Sequence, residues 1–375
     1  MKNSFFFLCI ILLYSCGKKE GTKDYSQIEI SMDTVMVDAK DKIIMAASNM
    51  FLSGFSNDNS KIHHYDAKNG VLEIIDLDRL ILDRKIKVEK EGPNGVGSVW
   101  WFDFWNDSLY AFYNFNNIEL LDKKMKKVSS INLQTSTIGK TGLGEGFMYQ
   151  NNFTLLNDSR KLLAQVQSSN SDFLHLTYLD FKTNEVKIIK NPDFEVMNDH
   201  NITLIQNGSK RSLIQPVGTL FVGNKAYVFN KANNKIFEYD YSENSIQEIQ
   251  IRQMTIPTAK SKSYKLQTES LEEFKAQAIA LNEEIAFENL VVDPNSGDFY
   301  RLAVKKNQIA QEDRPEKWDV FLIKYNPNFK TLVEKKIFDN INLTEQLTEY
   351  FVKDNMLWIK ININDDLAFL RIKIN

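Results

Sequence analysis

The chain has 375 residues, 43% of them hydrophobic and 25% charged, and its formal net charge at pH 7 is −3. Basic and acidic side chains are mixed throughout, so the sequence lacks the basic face expected of a nucleic-acid-binding protein. The two cysteines, Cys9 and Cys16, both lie near the N-terminus, which excludes thiol catalysis, thiolate metal sites and disulfides from the rest of the chain.

The N-terminal residues predict an export signal. An apolar run from Phe5 to Tyr14 is too short for a permanent transmembrane helix. It leads into Leu13-Tyr14-Ser15-Cys16, the kind of sequence that bacterial lipoprotein-processing enzymes cleave and acylate. We therefore expect residues 1–15 to be a signal peptide and Cys16 to carry a lipid anchor, with a short transmembrane anchor as the alternative. No aspartate follows the cysteine to signal retention at the inner membrane, so the outer membrane is the expected location.

The remaining chain predicts one domain on a tether. Residues 16–26 are polar and contain glycine, which is typical of a flexible linker. In residues 27–375, short runs rich in β-branched and aromatic residues alternate with Asn, Asp, Gly and Lys. This pattern favours strands joined by polar turns over helices.

A repeat organises these strands. An alternating strand ends in an apolar residue followed by Asp or Asn, and a polar turn and another strand come next. The pattern ends at Asp76, Asp122, Asp180, Asp240 and Asn326. Its copies are separated by 46, 58, 60 and 86 residues, and periods of about 40 to 60 residues with four strands each are typical of propeller blades.

The two ends of the domain complement each other. Met356–Ile361 and Leu367–Ile374 provide too few strands for a sixth blade, while Ile28–Val37 is a strand without a partner. We expect the N-terminal strand to pair with the C-terminal blade, closing an all-β, six-bladed propeller and removing an exposed sheet edge. A count of seven follows instead if residues 41–56 form more than one innermost strand.

The longest interval predicts a helical insertion between blades 4 and 5, spanning residues 252–286. Ser270 and Glu273 have the spacing of a capping box. A helix at about 271–285 follows, with an apolar stripe of Leu271, Phe274, Ala278, Leu281 and Ile285.

Two glycine-rich stretches are the first candidate ligand-binding segments. Glu89–Gly97 and Gly139–Phe147 each lie where the chain passes from the outer strand of one blade to the inner strand of the next. Glycines permit tight turns and leave backbone amides exposed. The predicted binding residues are Glu91, Gly92, Pro93, Asn94, Gly95 and Glu145. A tight crossover without a ligand is the alternative.

Aromatic residues crowd the second repeat and supply another candidate. Strand alternation predicts Trp101, Asp103 and Trp105 on one face. The opposite face is expected to carry Trp100, Phe102 and Phe104. Trp101 is the predicted site for stacking on a sugar, and packing in the core is the alternative.

No motif for catalysis or metal binding stands out. The four histidines, His63, His64, His175 and His200, do not pair at metal-ligand spacing with an acidic third partner. His63 and His64 are adjacent on a strand and should point to opposite faces. The repeated aspartates suit turn initiation. We therefore assign no metal, cofactor or catalytic residue.

A family resemblance agrees with this interpretation. The Cys16 sequence, the strand end Glu73–Asp78 and above all Glu91–Gly95 resemble a family of bacterial lipoproteins of unknown function. That family has a six-bladed propeller similar to NHL propellers. The resemblance implies a propeller over nearly the whole mature chain and implies no activity.

The predicted function is therefore non-catalytic binding at the cell envelope. The protein would present a propeller face to a glycan, a peptide or an envelope-protein partner. The alternative is a hydrolase or lyase that acts on polysaccharide through carboxylates in the central cavity, and a third possibility is a purely structural envelope component. Two carboxylates, or a histidine and a carboxylate, meeting in the cavity would favour the enzyme.

Overall fold

β-Strands dominate the computed structural model. It describes residues 28–114, 117–132, 147–156, 161–168, 174–189, 199–251, 255–261, 264–308, 316–341, 347 and 349–375. Within these residues the strands form six four-stranded sheets and one three-stranded sheet, accompanied by a single α-helix.

The four-stranded sheets are numbered here in chain order, and their strands are given from one edge to the other. Sheet 1 contains β2 (Ser53–Phe55), β3 (Lys61–Asp66), β4 (Val71–Asp76) and β5 (Ile81–Lys87). Sheet 2 contains β6 (Val99–Trp105), β7 (Leu109–Asn114), β8 (Asn117–Asp122) and β9 (Lys127–Asn132). Sheet 3 contains β10 (Phe147–Leu155), β11 (Lys161–Ser168), β12 (Leu174–Asp180) and β13 (Glu185–Ile189).

The remaining four-stranded sheets follow the same plan. Sheet 4 contains β16 (Val217–Val222), β17 (Lys225–Asn230), β18 (Ile236–Asp240) and β19 (Ser245–Ile249). Sheet 5 contains β21 (Ala286–Val292), β22 (Phe299–Gln308), β23 (Lys317–Tyr325) and β24 (Thr331–Ile341). Sheet 6 contains β25 (Tyr350–Lys353), β26 (Met356–Ile363), β27 (Asp366–Ile374) and β1 (Ile30–Met36).

Sheet 6 joins the first strand to the last. β1 runs antiparallel to β27, so that Ile30 pairs with Ile374 and Met36 pairs with Ala368. The Arg371 guanidinium donates to the Asp33 carboxylate across this pair. The final strand of the sheet therefore comes from the opposite end of the chain.

Polar turn residues account for the strand ends. Asp122 Oδ1 accepts from the backbone N–H groups of Lys124 (2.8 Å) and Lys126 (2.9 Å), and the other repeated positions make similar bonds. The interpretation of these side chains as turn initiators is confirmed. Two-residue hairpin loops such as Asn364-Asp365 have positive φ at both positions, as type I′ turns require.

Buried side chains pack between successive sheets. Five core clusters each draw on two four-stranded sheets that are neighbours in the chain, from sheets 1 and 2 to sheets 5 and 6. A sixth cluster joins sheet 6, through Trp358 and Phe369, to sheet 1, through Ile62 and Ile75. Each sheet thus packs on two neighbours, and the fold is all-β and propeller-like.

A small accessory module interrupts this series. It consists of β14 (Ile202–Gln206), β15 (Ser209–Leu213), β20 (Gln267–Thr268) and helix α1 (Leu271–Glu283). Its own core contains Ile202, Leu204, Tyr264, Phe274 and Leu281. The sequence analysis expected only the part between sheets 4 and 5, whereas the module also takes in the β14–β15 hairpin that precedes sheet 4.

The helix start differs in detail from the prediction. Ser270 Oγ accepts from the Glu273 N–H (3.1 Å), as expected. The Glu273 carboxylate, however, accepts from the Glu269 N–H and pairs with Lys265, so the reciprocal bond of a capping box is not made. Leu271 was predicted to belong to the buried stripe but is 41% exposed, because the face that packs on the module is centred on Phe274 and Leu281.

Candidate ligand-binding end of the sheets

Two segments that join one sheet to the next, residues 37–52 and 88–98, share one end of the sheets. Each four-stranded sheet is antiparallel, so its first strand begins and its fourth strand ends at the same end. Residues 37–52, which lead from β1 to β2, and residues 88–98, which lead from β5 to β6, both lie there. We call the end formed by these two segments the crossing end.

The predicted motif at residues 91–95 forms a tight turn. The Gly95 N–H donates to the Gly92 carbonyl (2.9 Å), with Pro93 and Asn94 at the two central positions, which suits a β-turn with proline second. On either side of it, Val96 N–H bonds Glu89 O (3.0 Å) and Gly97 N–H bonds Lys90 O (3.0 Å). The loop is a compact crossing with its own backbone ladder.

Steric and conformational constraints explain why two positions of the loop are glycine. A Cβ on Gly95 would lie 2.6 to 2.9 Å from the backbone atoms of Glu91, closer than any real side chain approaches. Gly92 has φ +91°, a conformation that favours glycine, and a Cβ there would make only an ordinary contact with Glu89 Oε2, at 3.9 Å. These two positions of the motif are therefore explained by the path of the chain.

An ion pair between buried Glu119 and half-buried Lys127 holds the loop to sheet 2. Lys127 Nζ donates to the Gly95 carbonyl (2.7 Å) and lies 3.1 Å from Glu119 Oε2. The Asn94 side chain accepts from the Lys127 N–H (3.2 Å). Of the predicted binding residues, Asn94 and Gly95 are thus half-buried in structural contacts, whereas Glu91, Gly92 and Pro93 are exposed.

The same device holds residues 37–52 to sheet 1. Glu73 accepts from the Met45 and Ala46 N–H groups (3.0 and 3.1 Å). Lys85 Nζ lies 2.8 Å from Glu73 and donates to the Ile43 carbonyl (2.6 Å). Glu73 and Glu119 each precede the repeated aspartate by three residues, so they are equivalent positions. The sequence analysis missed them, although a charge within a buried strand at a repeated position was a usable signal.

An exposed aromatic pair lies at the crossing end. Phe51 is 62% exposed, and its ring meets that of half-buried Trp101 edge-on, with centroids 5.4 Å apart. The neighbouring Met50 N–H donates to Glu349 Oε1 (2.6 Å), which fixes the chain just before Phe51. Trp101 was a predicted site residue, whereas Phe51, 50 positions away in the sequence, was not.

Trp101, Asp103 and Trp105 form a row along β6. The pairing of β6 with β7 is regular from Trp101 to Trp105, so alternate side chains share a face, as predicted. All three are half-buried, whereas Phe102 and Phe104 on the other face are buried.

The prediction for Trp100 was wrong. It was expected beside Phe102 and Phe104, but it packs with Trp101 and Trp105 on the cluster between sheets 2 and 3. The cause is a register shift between Val99 and Trp101, since an extra residue in a strand breaks the alternation.

The Asp103 carboxyl has a raised pKa and an uncommon set of neighbours. Burial raises the pKa of its carboxyl to about 6, against the opposing effect of a hydrogen bond from the Phe104 N–H. Among the described residues, no lysine or arginine lies within 4 Å of this carboxylate. Directly across the sheet stands Ala111, which is fully buried in the cluster between sheets 2 and 3.

The two histidines of β3 are held in the protein interior. His63 stacks on Phe104 with centroids 3.9 Å apart, and its Nδ1 lies 3.2 Å from the Tyr110 hydroxyl. Burial lowers the pKa of His63 to about 3. His64 points to the opposite face, as predicted, and its Nδ1 lies 3.0 Å from Ser53 Oγ.

Several predictions fall on other parts of the chain. The signal peptide 1–15, Cys16, the tether 16–26 and Glu145 lie outside the described residues. Within the described part, no three His, Cys, Asp or Glu side chains are grouped as a metal would require. No helix there is long and apolar enough to cross a membrane.

Comparison with known proteins gives the family. The model of DUF4221, a domain of unknown function, matches residues 26–336. The chain belongs to the DUF4221 family. A crystal structure of a DUF4221 member from Bacteroides vulgatus has a TM-score of 0.67 at 15% identity, and the match covers 94% of this chain and 99% of that one. The expected family of unknown function and the propeller-like fold are therefore confirmed.

Other solved structures resemble this DUF4221 chain more weakly. The Pan2 WD40 domain of Neurospora crassa gives a TM-score of 0.42 at 8% identity, covering 90% of this chain and 95% of that one. Oligogalacturonate lyase of Vibrio parahaemolyticus gives 0.38 at 11% identity, covering 92% and 97%. These scores carry no inference about activity. No curated protein matches the chain.

Proposed function

We propose that this DUF4221 protein is a non-catalytic binding protein of the cell envelope. In this proposal a lipid on Cys16 holds it at the membrane, and its crossing end binds a glycan, a peptide or an envelope protein. The observation that carries the proposal is the pair of Phe51 and Trp101 at that end. Two adjacent rings, one of them largely exposed, offer apolar area and a π face at low conformational cost.

The proposal includes a closed ring of six blades, one for each four-stranded sheet. The pairing of β1 with β27 and the core cluster between sheets 6 and 1 support closure. A count of six is supported because the three-stranded sheet has its own core with α1. That sheet is then an accessory to the ring rather than a seventh blade.

The proposed anchor and the proposed binding surface lie at opposite ends. Met36 ends β1 at the crossing end, so Ile30 begins the strand at the other end. Residues 17–29 span at most about 45 Å when extended. A lipid on Cys16 would therefore attach to the domain at the end opposite the crossing end, through a tether long enough to let the crossing end reach partners.

The two glutamates near His64 favour binding over catalysis. Glu73 and Glu349 lie near His64, close enough that their charges affect its pKa. Each is occupied, however, because Glu73 is bonded by two amides and Lys85, and Glu349 by the Met50 amide and Lys360. A general acid or base needs a carboxyl that can exchange a proton with substrate, and these bonds stand in the way.

The test uses the full-length lipidated protein in detergent, screened on a glycan array and by pull-down from native membranes. For the ligand so found, Phe51→Ala and Trp101→Ala should each weaken binding at least tenfold. Val128→Ala, an equally exposed apolar residue on β9, should leave it unchanged. Unchanged binding in both aromatic variants, or turnover of a bound polysaccharide, would overturn the proposal.

A further inference from the structure

The row of Trp101, Asp103 and Trp105 has features that the proposed binding function leaves unexplained. The Asp103 carboxylate lies between the two indole rings, on the face of β6 that packs toward sheet 3, and all three residues are half-buried. Other buried or half-buried carboxylates in this region have a lysine partner, as Glu73 has Lys85 and Glu119 has Lys127. Among the described residues, Asp103 has no such partner.

The contacts around the row fix its geometry. Trp105 Nε1 donates to the Leu156 carbonyl of the next sheet (3.0 Å), which holds that indole in place. Trp101 is held by Phe51 on one side and pairs with Tyr113 across the sheet. Ala111, opposite Asp103, is a small side chain and is fully buried. The row therefore presents a negative charge between two rigid aromatic faces.

The chemistry of such a row selects for a positive charge. Indole faces attract cations through their quadrupole, and tryptophan does so best among the aromatic side chains. A carboxylate removed from water gains from an opposite charge within about 4 Å, because the interaction is weakly screened there. A neutral hydroxyl would satisfy one lone pair but would leave the charge uncompensated.

We infer that Trp101, Asp103 and Trp105 form a binding site for an organic ammonium group on the ligand. The ammonium would donate hydrogen bonds to Asp103 while its methylene groups pack on the indoles. The inference rests on the proposed binding function and narrows its ligand class. Two sources share this chemistry, namely the free amine of an amino sugar and the side-chain amine of a lysine in a peptide.

The first test compares charge at constant shape in the unmodified full-length protein. Propylammonium and propan-1-ol are titrated separately, with binding followed by tryptophan fluorescence and calorimetry. Propylammonium should bind at least tenfold more tightly than the alcohol. Equal affinities, or no binding of the amine, would overturn the inference without touching the proposed function, which depends on Phe51 and Trp101.

The second test assigns the charge to one residue. Asp103→Asn should lower the affinity for propylammonium at least tenfold, with an unchanged unfolding transition as the folding control. Asp366→Asn, which removes an exposed carboxylate at the start of β27, should have no effect. Equal losses in both variants would point to general charge attraction and would overturn the assignment to the row.

The third test separates the two sources. Glucosamine oligomers are compared with their N-acetylated forms, and lysine-containing peptides with their ε-acetylated forms. Acetylation removes the positive charge, so a loss of at least tenfold in one series identifies the source. Insensitivity to acetylation in both series would contradict the inference.

Discussion

Sheet 1 meets sheet 6 at one junction and sheet 2 at another, and the chain segments that cross at these two junctions are held in place in different ways. At each, a segment crosses to the inner strand of a sheet, and a Glu–Lys pair of that sheet holds it through a backbone carbonyl. At the junction of sheets 6 and 1 the pair is Glu73 and Lys85, and the acceptor is Ile43 O. At the junction of sheets 1 and 2 it is Glu119 and Lys127, with Gly95 O.

The difference lies in how much of each segment is buried. Residues 37–52 contain no glycine, and they bury Ile44, Ala46, Ala47 and Met50 in the core. Residues 88–98 are mostly exposed and rely on glycine for a close approach of the backbone. Accordingly, Glu73 is fully buried and also bonds two amides directly, whereas Glu119 acts through its lysine. Glu73, at the junction of sheets 6 and 1, therefore makes more of the contacts that hold its segment than Glu119 makes at the junction of sheets 1 and 2.

The largest expected effect is the loss of Glu73. Glu73→Ala should lower the free energy of unfolding by about 3 to 5 kcal/mol, because it leaves the Met45 and Ala46 N–H groups without their acceptor and removes the carboxylate partner of half-buried Lys85. Glu119→Ala should cost about 2 kcal/mol, since Lys127 keeps the Gly95 carbonyl. Urea unfolding of both variants measures the difference. Glu91→Ala, on the exposed part of the loop, is the control and should stay within about 0.5 kcal/mol of the parent.

The pH dependence of stability gives a second comparison of the two junctions, through His63 and His64. His63 faces the junction of sheets 1 and 2, and its pKa of about 3 lies below that of an unfolded histidine. Because the unfolded chain then binds protons more readily, stability should fall as pH drops below about 6.5. The expected loss is about 2 kcal/mol between pH 7 and pH 5.

His63→Phe should remove most of this acid sensitivity while keeping the stack on Phe104. For His64 the charges of Glu73, Asp66 and Glu349 oppose the effect of burial, so His64→Gln should change the pH dependence less. Urea midpoints at the two pH values, measured for parent and variants, test both statements. A larger change with His64→Gln would contradict the assignment of the acid-sensitive group to the second junction.

Much of the local structure was predictable because it is encoded locally. Asp and Asn at strand ends bond nearby amides, so Asp122 and its counterparts reported the turns directly. Alternation along β6 gave the row that contains Trp101 and Asp103 correctly. It failed for Trp100 because the register shift after Val99 has no mark in the sequence.

Contacts between residues far apart in the sequence were harder to predict from the sequence. Phe51 and Trp101 meet only because the inner strands of sheets 1 and 2 are adjacent. These two strands, β2 and β6, approach so closely that a Cβ on Gly54 would lie 2.2 Å from the Phe104 nitrogen. Strand β14 of the β14–β15 hairpin pairs with β20, although all of sheet 4 lies between them in the sequence. No local sequence pattern predicts this pairing. Candidate site residues were thus found where they lie on one strand and missed where packing brings two strands together.

The smallest effect tests whether the glycine loop depends on close backbone packing. Gly95→Ala should lower the free energy of unfolding by about 2 kcal/mol, because its Cβ would overlap the Glu91 backbone and the turn must open. At Gly92 an added Cβ would make only an ordinary contact, 3.9 Å from Glu89 Oε2, so Gly92→Ala should cost only about 1 kcal/mol, from its positive φ. Equal losses would show that conformation, and not contact, fixes the loop. The contrast with residues 37–52, which use alanine where their backbone is buried, would then disappear.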